Sequence, residues 1–233
     1  MKKIYTGILL ASLFLSSGFG QQIVQIQGRG VIMFLPFFKE DAQLDILGTP
    51  FMSESWMYGS FHAYDTIRIE GLFRYNIYNQ EIQFIHGTDT LSIAAPLNVD
   101  SINFSGKNFT YSLYLEEKKG TDALGSAYFE ILNEGDLMLL KKNYVEIRER
   151  SYAKNYMGGG GDGREFYYHN SSYYYKPAPG AAAIKMKKNR KFILGIFGEK
   201  KEEVLSYIKE NQLSLKNEED LEKIFSYYNR LDI

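Results

Sequence analysis

Between Trp56 and Arg150 apolar and polar residues alternate in short runs. Phe73, Tyr75 and Ile77 fall on one side of an extended chain, and Leu72, Arg74, Asn76 and Tyr78 on the other. That period of two marks a strand with one buried face. Past a turn at Asn79–Gln80, Ile82 and Phe84 alternate with Gln83 and Ile85, and Gly87-Thr88-Asp89 punctuates before TLSIA. Ile102 and Phe104 lead to the turn residues Ser105–Asn108, after which Phe109, Tyr111, Leu113 and Leu115 share one face. Asn133–Asp136 joins AYFEIL to LMLLK as a hairpin, and YVEIRER follows after Lys142–Asn143. Eight or nine short strands with polar turns predict an antiparallel meander, curled into a sandwich or partial barrel. Such spacing leaves no room for crossover helices.

The pattern changes on either side of this body. Residues 21–47 form a lead-in arm in which Pro36, inside VIMFLPFF, argues against a central strand and leaves an edge strand, a packed arm or an interaction segment open. Ser151–Pro177 is rich in glycine and tyrosine and reads as a bridge, with four successive glycines from Gly158 supplying backbone freedom. Tyr167, Tyr168, Tyr173, Tyr174 and Tyr175 are either one more strand or an exposed interaction surface, and β-propensity favours a strand for Tyr173–Tyr175. Residues 178–233 form a helical tail. Val204, Leu205 and Ile208 make an apolar stripe in Glu199–Asn211. Asn217 is a predicted N-cap followed by Glu218, Glu219 and Asp220, and Leu221, Ile224, Phe225 and Tyr228 lie on one helical face. Each helix needs a partner for its apolar side, so the tail should dock on the sheet or on itself. The fold class is therefore mainly β with C-terminal helices: a β body over 48–150, a bridge over 151–177 and a docked tail.

Residues 1–20 read as a secretory signal. Lys2 and Lys3 precede a mostly apolar run from Ile4 to Leu15, and Gly18 and Gly20 occupy the −3 and −1 places before Gln21. There is no cysteine, which rules out a lipid anchor on that residue, disulfides and thiol nucleophiles. Export without disulfides points to the periplasm or surface of a Gram-negative bacterium. A net charge of −1 gives no global attraction to nucleic acid or to an anionic membrane. Nineteen tyrosines and sixteen phenylalanines fit strands and half-buried positions with a wet tip.

Candidate chemistry is sparse. The glycine run lacks the lysine and hydroxyl residue of a phosphate loop, since Arg164, Glu165 and Phe166 follow Gly163. Asp162 stands almost alone, which does not make a calcium loop. His62, His86 and His169 show no metal-ligand spacing, and no G-x-S-x-G elbow occurs. No catalytic, cofactor-binding or metal-binding residue is assigned. Asp65, Glu70, Glu81 and Asp89 could pair for hydrolysis only through a separation that sequence does not show. Lys185, Lys187, Lys188, Arg190 and Lys191 form a local basic cluster whose default is a solvated face. Trp56 opens an aromatic strand after a Gly-Thr-Pro turn and is read as a core or clamp residue.

GTPFMSESWMYGSF (48–61), LFRYNIYNQEIQF (72–84) and the charged helical segment over 200–231 together resemble an uncharacterised family of exported proteins from Gram-negative bacteria. In that family a G-[ST]-P-[FY] turn leads into a strand, and a Lys-, Glu- and Leu-rich helical segment closes the chain. Gln212 stands where the family pattern has lysine. The resemblance covers most of residues 48–233 and implies export and a β body with helices; it carries no catalytic residues. The expected function is a non-enzymatic envelope protein that binds another envelope protein or itself, with no transmembrane segment once the signal is removed. A carrier of a small apolar ligand would instead need a cavity lined by residues such as Phe73, Tyr75 and Ile77. A hydrolase would need two carboxylates facing across a cleft.

Overall fold

The computed structural model describes residues 22–26, 30–36, 46–63, 67–93, 99–118, 121–149 and 164–231. The signal read over residues 1–20 and the glycine run at 158–163 lie outside them. The chain is mainly β, followed by a few C-terminal helices. Its strands are β1 (Gln22–Ile26), β2 (Gly30–Pro36), β3 (Ile46–Leu47), β4 (Met57–Ala63), β5 (Ile67–Asn76), β6 (Glu81–His86) and β7 (Asp89–Ile93). They continue as β8 (Val99–Phe104), β9 (Lys107–Lys118), β10 (Thr121–Asn133), β11 (Met138–Glu149), β12 (Glu165–Lys176) and β13 (Ala183–Lys185). All thirteen belong to one sheet, in the order β1-β2-β7-β6-β5-β4-β8-β9-β10-β11-β12-β13, with β3 beside β12.

The far end of that path closes on itself. β13 pairs with β12 on one side and, in parallel, with β9 on the other through Ala183–Tyr114 and Ile184–Leu115. Strands β9 to β13 thus form a small ring. Ala127, Phe129, Leu140, Tyr174 and Ala183 fill it, with Tyr114 against them. The rings of Tyr114, Phe129 and Tyr174 meet edge to face at 5.0–6.0 Å, the arrangement aromatic quadrupoles favour. Gly125 sits opposite Tyr114, and a Cβ there would lie 2.6 Å from the tyrosine ring. Glycine is what allows that ring to lie across β10.

The larger core lies between β4–β8 and the outer side of β9–β11. Phe61, Phe73, Tyr75, Ile82, Phe84, Phe104, Phe109 and Tyr128 are buried there. Phe73 stacks on Phe84 and on Phe104, Phe104 stacks on Phe109, and Tyr75 bridges Phe109 to Tyr128. The alternation predicted for Phe73, Tyr75 and Ile77 is the buried face of β5 and the turn after it. Ser105 and Gly106, at φ +56° and +69°, make the β8–β9 turn, as a two-residue hairpin with both central φ values positive requires.

The structure adds strands on either side of the β body. Of the alternatives open for the lead-in arm it has strands: β2 lies between β1 and β7, and Pro36 is its last residue, paired with Leu91, where a missing N–H costs little. Ile46–Leu47 joins β12 in parallel. The second half of the bridge is β12, so the strand favoured for Tyr173–Tyr175 extends back to Glu165. Lys142–Asn143 does not interrupt β11, which runs unbroken from Met138 to Glu149.

Helices α1 (Arg190–Gly195), α2 (Lys201–Glu210) and α3 (Glu218–Tyr228) cover the outer face of β10–β12. Ile193, Leu194, Val204, Ile208, Leu221, Ile224 and Phe225 pack with Leu137, Leu139 and Met186. Asn217 caps α3 by accepting from the Asp220 N–H at 3.0 Å. No helix of the described residues is long and apolar enough to cross a membrane.

Asn229, just beyond α3, ties the tail to the β10–β11 turn. Its Oδ1 accepts from the Leu137 N–H at 3.0 Å, and its Nδ2 reaches Asn133 Oδ1 and Leu137 O, each at 2.9 Å. Gly135, at φ +141°, packs directly against this amide, leaving no room for a Cβ. Asn229→Ala would leave a half-buried N–H and carbonyl without protein partners. The expected loss is about 1–3 kcal/mol in urea unfolding, with earlier amide exchange at Leu137 than in the adjoining strand β11.

Candidate functional site

Across the outer face of β10, β11 and β12, Glu130, Lys141 and Tyr173 stand directly opposite one another. The first turn of α3 lands on this row. Glu218 accepts from Lys141 Nζ, 2.7 Å from its Oε2, and from the Tyr173 hydroxyl, also at 2.7 Å. Glu130 is 6% exposed and pairs with Lys107 while accepting from Asn143 Nδ2 at 3.2 Å. Burial taken alone would raise the Glu218 pKa, but hydrogen bonds from Lys141 and Tyr173 outweigh it and hold the carboxyl below its ordinary range. Glu222, one turn on, is pushed up by burial and by the charges of Glu218, Glu219 and Glu130. Burial, then the bond to Glu218, raises the Tyr173 hydroxyl.

Two carboxyls pushed in opposite directions is a pattern shared with acid–base sites. Here, however, Glu218 is committed to Lys141 and Tyr173, and Glu130 to Lys107 and Asn143. The row docks the helical tail on the sheet. Beside it an open dent of about 420 Å³ is bordered by Met52, Ile77, Lys141, Asn143, His169, Asn170 and Ser171. A second open dent, about 470 Å³, is bordered by Tyr175, Asn189, Lys191, Phe192, Gly195 and Ile196. Phe73, Tyr75 and Ile77 are at most 2% exposed and belong to the packed aromatic core.

The five tyrosines, read as a strand or as an exposed interaction surface, lie on one strand and do not share one exposed face. Tyr174 is buried in the ring, and Tyr173 is held by Glu218. Tyr175 packs edge-on to Phe192, and Tyr167 edge-on to Tyr78. Only Tyr168 of the five is exposed, with the Arg148 guanidinium 4.0 Å from its ring centre. Alternation along β12 separates them: Tyr173 and Tyr175 face the helices, and Tyr174 faces the ring.

The histidines stay apart in their contacts. His62 lies 3.4 Å from Ser60 Oγ, His86 is beside Phe84, and His169 meets the Thr49 carbonyl at 2.8 Å. Among the described residues no group of three His, Asp or Glu side chains could hold a metal. Glu70 bonds the Tyr58 hydroxyl and Arg68. Trp56 and Phe51 both contact the Arg74 guanidinium, at 4.4 and 3.7 Å from their ring centres, so the clamp expected at Trp56 holds an arginine. In the basic cluster Lys185 pairs with Glu116 at 2.6 Å, Lys187 lies 6.0 Å from the Phe192 ring centre, and Lys188, Arg190 and Lys191 are exposed.

Sequence reading missed one apolar surface. Tyr175, Ile184, Leu115 and Leu124 are successive cross-strand neighbours on β12, β13, β9 and β10. Leu124 is 66% exposed, and nearby Leu113 is 42% exposed. Leu113 and Leu115 had been placed on one face with Phe109 and Tyr111. What sequence lacked was the point at which that face leaves the core.

The Glu218 shift fixes a pH dependence. Its folded pKa is depressed from the ordinary 4.5, so the stabilisation is present above that value and is lost as pH falls through the folded pKa. Glu222 has the opposite sign, opposing folding once pH rises above its ordinary range. In urea titrations at several pH values, Glu218→Gln should flatten the acid limb and Glu222→Gln should raise stability at neutral pH. Comparisons of the chain with known families, with curated proteins and with solved structures each found no match.

Proposed function

We propose that this chain is an exported, non-enzymatic protein of the cell envelope that works as a protein-binding or structural module. The observation that carries the reading is the exposed apolar pair Leu113 and Leu124, diagonal neighbours on β9 and β10 at the end of the row Tyr175–Ile184–Leu115–Leu124. Apolar side chains in adjoining positions on a sheet face gain by being covered, and exposed apolar patches mark contact surfaces. The leader read over residues 1–20 and the resemblance to exported Gram-negative proteins support placement in the periplasm or at the surface. The carrier alternative gains nothing from Phe73, Tyr75 and Ile77, whose faces are taken by neighbouring side chains.

The test is chemical cross-linking in the producing cell's envelope, with the wild-type chain and with Leu113→Asp combined with Leu124→Asp. The wild type should yield a discrete adduct with another protein or a second copy. The double variant should lose it while its unfolding free energy stays within about 1 kcal/mol. An adduct of equal yield in both proteins, or none in either, would contradict the reading.

A further inference from the structure

The segment entering α1 gathers charge in one place. Lys187, Lys188, Arg190 and Lys191 are all exposed, and Lys188, Arg190 and Lys191 make no ion pair among the described residues. The segment is anchored from beneath, because Ile193 and Leu194 are buried in the helical core and Asn189 accepts from the Phe192 N–H at 2.7 Å. Beside the cations lies the dent of about 470 Å³ bordered by Tyr175, Phe192, Gly195 and Ile196. Phe192 is held edge-on to Tyr175 with ring centres 6.3 Å apart. Gly195 leaves one wall open, since a Cβ there would meet nothing within 4 Å. Lys188, Arg190 and Lys191, held at the start of an anchored helix beside a hollow with Phe192 and Ile196 in its wall, have two needs that one ligand can satisfy.

We propose that this dent and its cationic rim bind an acidic segment of a partner protein that presents an aromatic or aliphatic side chain. The proposal rests on the binding-module reading and names the chemistry of one partner. The apolar side chain enters the hollow against Phe192 and Ile196, removing their remaining surface from water. Carboxylates flanking it meet Lys188, Arg190 and Lys191, which gives orientation and a fast, salt-sensitive approach. A flat anionic bilayer would meet the cations and leave the hollow empty. A single-stranded nucleic acid would meet the cations through its phosphates and leave the hollow without its apolar side chain.

The test uses fluorescence anisotropy with a short labelled peptide of Glu and Asp carrying one central Phe, titrated with the full chain. Binding should weaken about tenfold or more when the peptide Phe is replaced by Ser, and again for Lys188→Glu with Lys191→Glu. Gly195→Phe, at a wall position where a Cβ meets nothing within 4 Å, should weaken binding of the Phe peptide and leave the weak Ser peptide unchanged. Circular dichroism on each variant checks that the fold persists. Equal binding of the Phe and Ser peptides, or no effect of Gly195→Phe, would reduce the site to bulk charge and overturn the proposal. Binding to phosphatidylglycerol vesicles, or to single-stranded DNA, in preference to the peptide would overturn it as well. A chain that keeps its cross-linked envelope partner but ignores the peptide would refute this site alone and leave the binding reading standing.

Discussion

The continuous run of aromatic rings from β6 to β10 is the constraint on which the rest depends. Phe84, Phe73, Phe104, Phe109, Tyr75 and Tyr128 touch in sequence, and no flat sheet could bring them together. To remove such rings from water the sheet must curl until β5 and β6 face β10. Each fully buried aromatic contributes on the order of 2–3 kcal/mol of transfer free energy, so the curl is strongly favoured over an open sheet. Gly59 records how tightly the strands meet, because a Cβ there would lie 2.1 Å from the Asn103 carbonyl oxygen.

Once the sheet has curled, its two faces acquire different duties. The ring of β9–β13 is packed with its own side chains, Tyr114, Phe129 and Tyr174 among them. The outer face of β10–β12 is left for the helices, which reach it through the Glu218 clamp and the Asn229 tie. The same face runs past the helices to Leu115 and Leu124. The proposed binding at the surface asks for no rearrangement of the core.

Alternation made β5, β6 and the β8–β9 hairpin legible from sequence, because Phe73, Tyr75, Ile82, Phe84, Ile102, Phe104 and Phe109 are buried at alternate positions. It failed where polar residues are satisfied inside the sheet. Lys142 donates to the Tyr114 hydroxyl and lies 4.2 Å from its ring centre, and Asn143 donates to Glu130, so a pair that resembles a turn lies within a strand. The tyrosines of β12 misled in the opposite sense, since their partners Glu218, Phe192 and Tyr78 lie far along the chain. Asn217 was readable as a cap because its bond is local; the row Glu130–Lys141–Tyr173 was not, because register between distant strands creates it.

The most direct test of the central claim, that the interior is full and binding happens at the surface, is native mass spectrometry of the chain purified gently from its producer's envelope. The account predicts the mass of the polypeptide alone or with another protein chain. A small extra mass that is retained under native conditions and released on denaturation would contradict it, because such a molecule could lodge only by displacing side chains such as Phe73 and Tyr75 from the core.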